Sequence, residues 1–348
     1  MVIEGKPGRN MTAEIDEQPD ILAGLVEHRA DIAETARAIA ATPPRFALLA
    51  ARGSSDHAAL YAKYLIEVLL GLPAGLVSPS ATTLYGARPD LRDVLLISVS
   101  QSGGSPDLLE VTESARKQGA LTVAVSNTPS SRLFSAAELG VDIRAGEEHA
   151  VAATKTYTAT LLALYLLIDA VRGGTGEDVR DIGELARRTL EESQAGVGRA
   201  VDRYRFADRV IAAARGYSYA TALEASLKLA ETSYLATRAY SGADLLHGPV
   251  AAVDEETAVL AVTSRGRGGA AMGDVLGAVA ERGADVLTVG SAASDMPGAL
   301  HVDVPETVEE VAPVLEVLPV QRLALGLSLA RGGDPDNPRG LRKVTKTR

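Results

Sequence analysis

A short run of hydroxyl, amide and glycine residues stands directly before a predicted helix. The run is Ser100-Gln101-Ser102-Gly103-Gly104-Ser105, and the helix begins at Pro106, since proline is favoured in the first turn. Glycines let backbone N–H groups approach an anion, and the helix dipole favours negative charge at this end. Serine and glutamine can donate to phosphate oxygens without adding charge. The pattern favours a phosphate-binding loop, although a capped helix start with a polar turn has the same composition.

A second loop of similar chemistry precedes this one in the chain. Gly53-Ser54-Ser55 follows the apolar run Phe46–Ala50 and can close the same pocket. Both loops follow predicted strands, and ligands of open parallel sheets bind at the carboxyl ends of strands. The corresponding loop of the second half, residues 264–269 (SRGRGG), is rich in arginine and lacks the hydroxyl pattern. One phosphate site in the chain is the simpler interpretation.

Four more residues are of types used in acid–base or nucleophilic chemistry. Lys228 and Glu231 are three positions apart, so they share one helix face. His247 precedes a Gly-Pro pair, and Lys343 lies in a basic tail. Each has an ordinary interpretation as well: a solvated surface pair, a turn residue and part of a disordered end. These spacings alone do not choose between the interpretations.

The chain contains an internal repeat. Ala50–Ser55 resembles Ala213–Ser218, and Leu96–Ser100 resembles Leu260–Ser264, in each case about 164 residues later. A third match, between residues 120–127 and 284–291, falls in the same register. The alternative is that all apolar strands look alike, but three matches in one register favour a true duplication.

Each half alternates short apolar runs with longer helical patterns. Continuous apolar strands separated by helices predict a parallel sheet covered on both faces. The fold class is therefore α/β, with two tandem flavodoxin-like domains. Predicted strands are Phe46–Ala50, Ala74–Val77, Val94–Val99, Leu121–Val125, Val141–Ile143, Val210–Ala214, Ala258–Val262 and Val286–Val289, and predicted helices are Asp56–Leu70, Pro106–Gln118 and Thr154–Val171.

The predicted organisation has five parts. Residues 1–40 form an N-terminal helical segment, 41–173 the first domain with the phosphate site, 174–203 a helical linker, 204–335 the second domain, and 336–348 a C-terminal tail. Residues 1–10 are expected to lack fixed structure.

Composition excludes several classes of protein. The 348 residues carry a net charge of −10, which argues against a nucleic-acid binder. There is no cysteine, hence no disulfide, thiolate metal site or cysteine nucleophile, and the five histidines show no metal-ligand spacing. The longest apolar run, Leu161–Ala170, contains Asp169 and is shorter than a membrane span of about 20 residues. Without a signal peptide, we expect a cytoplasmic protein that uses neither metal nor cofactor and binds no membrane.

Five motifs in order resemble a known family. They are Ser100–Gly103 (SQSG), Val151–Lys155 (VAATK), Glu224–Glu231 (EASLKLAE), His247-Gly248-Pro249 and Pro338–Thr345 (PRGLRKVT). The opening segment Glu14–Pro19 also matches. Together they resemble the sugar isomerase (SIS) family, in particular the isomerase half of glucosamine-6-phosphate synthase and its stand-alone relatives, the glucosamine-6-phosphate deaminases and fructosamine-6-phosphate deglycases. SQSG marks only the broad fold, whereas the later motifs are more specific.

The resemblance implies roles for particular residues. Glu231 would move a proton between C1 and C2 with help from Lys228, His247 would open the sugar ring, and Lys343 would form a Schiff base with the ketose. Isomerisation does need a carboxylate near two adjacent carbons and a protonatable group for ring opening. The resemblance also implies sugar contacts at Gly53, Val151 and Ala153. The implied phosphate contacts are Ser54, Ser55, Ser100, Gln101, Ser102 and Ser105.

Three departures from the synthase pattern bear on the exact sugar. Arg52 stands where the synthase has cysteine and can add positive charge near the phosphate. Ala153 stands for serine, which alters contacts to the sugar. Gly104 and Ser105 stand for glutamate and threonine in the loop.

The expected activity is aldose–ketose conversion of an amino-sugar phosphate, glucosamine-6-phosphate to fructose-6-phosphate and ammonia. The synthase takes ammonia from glutamine through a cysteine nucleophile in a separate domain, and these residues contain no cysteine. The alternatives are a fructosamine-6-phosphate deglycase, ammonia-dependent synthesis in reverse, and a non-catalytic sugar-phosphate sensor. The resemblance further implies a homodimer in which His247 completes the neighbouring subunit's active site.

Overall fold

The computed structural model of the chain describes residues 6–343, which divide into two compact units. The first unit contains Asp20–Glu148 and Lys155–Arg180. The second contains residues 6–19, His149–Thr154 and Asp181–Lys343. Each unit has its own five-stranded sheet. Residues 344–348 of the expected tail and residues 1–5 lie outside the described part.

Helices and strands alternate along most of the chain. The helices are α1 Arg9–Asp16, α2 Gln18–Glu27, α3 Arg29–Ala41, α4 Ser54–Leu69, α5 Pro79–Thr83, α6 Pro106–Lys117, α7 Arg132–Ala136, α8 Lys155–Val171, α9 Ile182–Glu192, α10 Gln194–Tyr204, α11 Tyr219–Ser233, α12 Gly242–Leu246, α13 Arg267–Ala270, α14 Gly273–Ala280 and α15 Ala312–Ala330. The strands are β1 Phe46–Ala50, β2 Ala74–Leu76, β3 Val94–Val99, β4 Leu121–Ser126, β5 Leu139–Asp142, β6 Arg209–Ala214, β7 Ala236–Ser241, β8 Thr257–Val262, β9 Asp285–Gly290 and β10 Leu300–Asp303.

The sheet of the first unit is parallel throughout, in the order β2-β1-β3-β4-β5. Strands β3 and β4 are almost wholly buried, as their continuous apolar sequences predict. Helices α3 and α4 pack against α8, whose buried residues run from Lys155 to Asp169. The predicted strand 141–143 is shifted: β5 begins at Leu139 and ends at Asp142.

The sheet of the second unit repeats this topology. Its order is β7-β6-β8-β9-β10, parallel throughout, so β6, β8 and β9 take the places of β1, β3 and β4. These are the strands that the internal repeat pairs, and the predicted fold class and duplication are confirmed. Helices α9, α10 and α11 pack against α15.

Helix α15 is long and apolar enough to cross a membrane by length and composition alone. However, 83% of its most apolar window is buried in the structure. A core helix passes the same test, so this one helix is weak evidence for a membrane span.

Helix α1 begins earlier than expected. The Asp336 carboxylate accepts hydrogen bonds from the Asn10 and Met11 backbone N–H groups at 2.8 and 2.9 Å, and Asp334 accepts one from Gly8 at 3.1 Å. These carboxylates satisfy N–H groups that a helix start leaves free. Met11 is fully buried, and α1 packs against α15. The expectation that residues 1–10 lack fixed structure is therefore wrong for residues 8–10.

The second unit's loops at the ends of β6 and β8 are occupied by the protein's own carboxylates. Backbone N–H groups of Arg267 and Gly268 donate to Glu309 at 2.9 and 2.6 Å. Ser218 donates to Glu316 at 3.0 Å, and Ser264 donates to the same oxygen. Loop positions that correspond to the predicted phosphate loop thus already bind the protein's own carboxyl groups.

Glu316 is an unusual carboxylate. It lies on α15 and is 1% exposed. Burial raises its pKa to about 7, an effect that the nearby Glu309 charge increases and that hydrogen bonds from Ser264, Ser218 and Thr221 oppose. Its neutral form is therefore favoured in the folded protein through much of the weakly acidic range.

Replacing Met11 by alanine tests whether α1 belongs to the folded unit. We expect Met11→Ala to lower the free energy of unfolding by about 2–5 kcal/mol, because a buried side chain leaves a cavity. Arg9→Ala, at an exposed position of the same helix, is the control and should change it by less than about 0.5 kcal/mol. Urea unfolding that does not distinguish the two variants would show that α1 adds nothing to the fold.

The raised pKa of Glu316 predicts a pH dependence of stability. The folded-state pKa of about 7 exceeds the ordinary value of 4.5, so the contribution is fully present below pH 4.5 and is lost as pH rises through 7. The shift corresponds to roughly 3 kcal/mol. We measure the free energy of unfolding by urea at pH 4.5 and at pH 8. Between these two pH values it should fall by roughly 3 kcal/mol less in Glu316→Gln than in wild type. Glu191→Gln, on an exposed position of α9, should follow wild type. Parallel profiles for wild type and Glu316→Gln would contradict the assignment.

Candidate functional site

The predicted phosphate loops emerge side by side in the first unit. Strands β1 and β3 are neighbours, with Ala50 opposite Ser98, so the loops that follow them leave the same edge of the sheet. Strand order reverses between these two strands, and ligands of open α/β sheets bind at such a point. The structure therefore brings residues 53–55 and 100–105 to adjacent loops.

The second of these loops has a conformation that only glycine permits. Gly103 has φ of +59°, and a Cβ there would lie 2.1 Å from Ser131 Oγ. Gly103 and Gly104 donate backbone hydrogen bonds to the hydroxyls of Ser100 and Ser102, at 3.2 and 3.3 Å. Each of these hydroxyls accepts a bond and keeps its own hydrogen for a ligand oxygen.

Helices begin directly after both loops. Ser54 and Ser55 form the first turn of α4, after Gly53 with φ of +57°. Ser105 stands at the N-cap of α6 in an extended conformation, and its hydroxyl makes no capping bond. Together with Gln101, these side chains lie where two helix dipoles favour an anion.

Arg52 is held by an ion pair. Its Nε donates to Asp107 in the first turn of α6 at 2.8 Å. The Asp107 side chain is 1% exposed and that of Arg52 is 47% exposed. The guanidinium therefore offsets a buried carboxylate, and its charge is only partly available to a phosphate.

Three charged residues of α11 form a cluster in the second unit. Lys228 Nζ lies 2.5 Å from Glu231 Oε2 and 3.5 Å from Glu224 Oε1. The side chains of Lys228 and Glu224 are 1% and 0% exposed, whereas that of Glu231 is 24% exposed. The spacing i, i+4, i+7 puts all three on one helix face.

The cluster is suited to proton transfer. Glu224 offsets the charge of the buried ammonium, which can then orient the accessible Glu231 carboxylate towards a substrate. The solvated surface pair is thus the wrong interpretation of Lys228 and Glu231. Sequence reasoning assigned no role to Glu224, although its i, i+4 spacing to Lys228 was a signal.

The Lys343 amine lies beside the segment to which the resemblance assigns sugar contacts. Its Nζ donates to the Ala150 carbonyl oxygen at 2.5 Å, next to the half-buried Val151 and Ala153. The same segment is also bound by the Glu14 carboxylate, which accepts hydrogen bonds from the backbone N–H of His149 and, at 3.2 Å, of Ala150. Glu14 is 2% exposed. Sequence analysis noted its motif but not this role.

Tyr234 holds the segment that leads to Lys343. It ends α11 with a left-handed backbone, φ 56° and ψ 29°, which costs a residue other than glycine roughly 1–2 kcal/mol. Its hydroxyl accepts a hydrogen bond from the Arg339 backbone N–H at 2.7 Å. The Arg339 guanidinium lies over the ring, 4.6 Å from its centroid.

His247 lies on the surface of the second unit. It follows α12 on an exposed stretch, and its ring makes no hydrogen bond within residues 6–343. Among those same residues there is no group of three histidine, aspartate or glutamate side chains that could hold a metal ion. The candidate residues in the described part of the chain therefore offer hydroxyl, amide, carboxylate and amine groups, in each unit separately.

Curated relatives and solved structures resemble the chain over nearly all its length. The glutamine–fructose-6-phosphate aminotransferases (isomerizing) of Pyrobaculum aerophilum and Gloeobacter violaceus are each 34% identical to it, over 99% and 96% of the chain. The chain spans 58% of the length of each.

Two solved structures show the same architecture. The C-terminal domain of glucosamine-fructose-6-phosphate aminotransferase from Francisella tularensis superposes with a TM-score of 0.85 at 25% identity, covering 95% of this chain and 98% of that one. Glucosamine-6-phosphate deaminase from Thermotoga maritima superposes with a TM-score of 0.80 at 22% identity, covering 97% and 100%. At that identity, the second likeness speaks for the fold alone.

The family match covers both halves of the duplication. The SIS domain matches residues 44–170, which include β1 to β5, and residues 204–329, which include β6 to β10. The chain therefore belongs to the SIS domain family and carries two tandem copies of that domain.

Proposed function

We propose that the protein converts glucosamine-6-phosphate to fructose-6-phosphate and ammonia. The observation that carries the proposal is the α11 cluster, in which the buried Lys228 ammonium lies 2.5 Å from the partly exposed Glu231 carboxylate. A pocket that only bound a sugar phosphate would have no use for a carboxylate held in this way. Relatives that are 34% identical carry the name of an isomerizing amino-sugar enzyme.

The chemistry begins with the phosphate. Ser100, Ser102 and the serines at the start of α4 anchor it, so that binding energy remote from the reacting carbons is converted into positioning. His247 protonates the ring oxygen, the bond between C1 and that oxygen breaks, and the C1 hydroxyl returns its proton to His247. The aldehyde is then at C1 and the amine at C2, and Glu231 removes the proton from C2.

The remaining steps move that proton and release nitrogen. A proton of the substrate's protonated amine passes to O1, Glu231 returns the C2 proton to C1, and an iminium is left at C2. The Lys343 amine attacks C2 and forms a new C–N bond, after which the bond between C2 and the substrate nitrogen breaks and ammonia leaves. Water then adds to the lysine Schiff base, releasing fructose-6-phosphate and regenerating the amine. In solution with little free ammonia, mass action favours this direction.

The proposal makes Glu231 indispensable. We expect Glu231→Gln to lower kcat at least about 100-fold, because general acid–base catalysis contributes that much or more. The assay measures ammonia and fructose-6-phosphate released from glucosamine-6-phosphate. Glu281→Gln, at an exposed position in the second unit, is the matched control and should keep full activity.

Assays with other substrates would identify the three alternatives. Consumption of an amino-acid-linked fructosamine-6-phosphate alone would make the protein a deglycase with the same Glu231 chemistry. Formation of glucosamine-6-phosphate only when ammonium and fructose-6-phosphate are supplied would make it an ammonia-dependent synthase. Saturable binding of either sugar phosphate without turnover would make it a sensor.

We also propose that the active protein is a homodimer and that His247 acts in its partner's site. The exposed, unbonded ring of His247 supports this. Glu231→Gln and His247→Ala should each be inactive alone. After subunit exchange, a 1:1 mixture should regain about a quarter of wild-type activity, because half of the dimers then have one intact site. If mass spectrometry detects heterodimers but the mixture regains no activity, both residues act within one chain.

A further inference from the structure

Tyr234 has a backbone conformation that its residue type disfavours. Only three residues other than glycine have positive φ in the described part of the chain, and Tyr234 is one of them. Glycine or asparagine is the usual occupant of this position at a helix end. The strain persists only where the surroundings hold it, and strained residues cluster at functional sites. Something other than backbone preference therefore favours tyrosine here.

The contacts of the side chain supply the reason. The hydroxyl accepts the Arg339 N–H at 2.7 Å, and the face of the ring carries the Arg339 guanidinium at 4.6 Å. Neither contact involves the rest of α11. We propose that Tyr234 is a positioning residue that docks the segment Pro338–Lys343 and so fixes where the Lys343 amine can act.

The short distance in sequence between Arg339 and Lys343 limits how far Lys343 can move while Arg339 stays docked. Arg339 and Lys343 are four residues apart, so an anchored Arg339 confines the Lys343 Cα to a radius of roughly 14 Å. Lys343 can exchange its hydrogen bond to the Ala150 carbonyl for attack on a substrate while Arg339 stays in place. A tether of this length keeps the local concentration of the amine high. The catalytic part of this inference rests on the proposed function, whereas the docking part does not.

The backbone strain makes a clean test possible. Tyr234→Asn suits the left-handed conformation but removes both contacts to Arg339. Tyr234→Phe keeps the ring and removes only the hydrogen bond. Tyr85→Asn, at a residue of the first unit that is 83% exposed, is the control.

Trypsin reports docking directly, without any substrate. It cleaves after Arg339 and Arg342, and the first of these side chains is the one that lies on the Tyr234 ring. Losing a cation–π contact and a hydrogen bond should raise the rate of cleavage after Arg339 about tenfold in Tyr234→Asn. Tyr234→Phe should show a smaller rise and Tyr85→Asn none. Cleavage after Arg187, on α9, is the internal reference, and mass spectrometry identifies each product.

Two results would overturn the inference. One is an unchanged rate of cleavage after Arg339 in Tyr234→Asn. The other is an equal rise after Arg187, since Tyr234 would then support the unit as a whole and not the tail. The Tyr234→Phe variant applies the same criteria if the asparagine variant is poorly folded.

Trapping at Lys343 tests the catalytic part. With fructose-6-phosphate and borohydride, labelling of Lys343 should fall about tenfold in Tyr234→Asn. The concentration of inorganic phosphate that inhibits the labelling by half should stay unchanged. Labelling equal to wild type would show that docking does not position the amine. If wild type itself is not labelled, the Schiff-base step of the proposed function fails, and the trypsin result still decides whether Tyr234 docks the segment.

Discussion

An ammonium group that water hardly reaches sets the electrostatics of α11. Removing an ion from water costs several kcal/mol, and only close counter-charges and hydrogen bonds offset that penalty. Lys228 meets this demand with two carboxylates, Glu224 within the buried face and Glu231 at its edge. Lys228 therefore lies between one buried and one accessible carboxylate. The helix must therefore keep its face packed for the accessible carboxylate to hold its position.

The duplication shows how one topology can lead to different local chemistry. Both sheets place the loops after two neighbouring strands at a reversal of strand order, where anions bind well. In the first unit the loop is lined by hydroxyls with hydrogens to donate. In the second, Glu309 takes the backbone N–H groups and Glu316 takes the serine hydroxyls. The same backbone preference is satisfied internally in the second unit, whereas our proposal assigns it to a sugar phosphate in the first.

Periodicity predicted most of the architecture. Strands such as Val94–Val99 matched to the residue, because a strand buried on both faces must be apolar throughout. The edge strand β5 begins two residues earlier than predicted, because the apolar pattern of a half-buried strand is weaker. In the second sheet the repeat predicted β6, β8 and β9, whereas β7 and β10 were not predicted.

Residues whose roles depend on distant partners were missed. Glu14 and Glu224 look like ordinary surface carboxylates in sequence, and only folding shows that they are buried against backbone N–H groups and an ammonium. Glu309 is 42 residues from Arg267, whose backbone it binds, so no local pattern reveals it. The motif residues Lys228, Glu231 and Lys343 could be predicted as candidates because their family pattern is local.

The capping of α1 by Asp334 and Asp336 has a consequence for synthesis on the ribosome. Gly8 and Asp334 are separated by 326 residues, and α15, against which α1 packs, is also translated late. At about 5–20 residues per second, the first helix waits roughly 16–65 s for its partners. During that time the side chains of Met11 and Ile15, both fully buried in the end, are open to chaperones and to aggregation. The α1 segment is thus vulnerable until α15 and the two capping aspartates have been made.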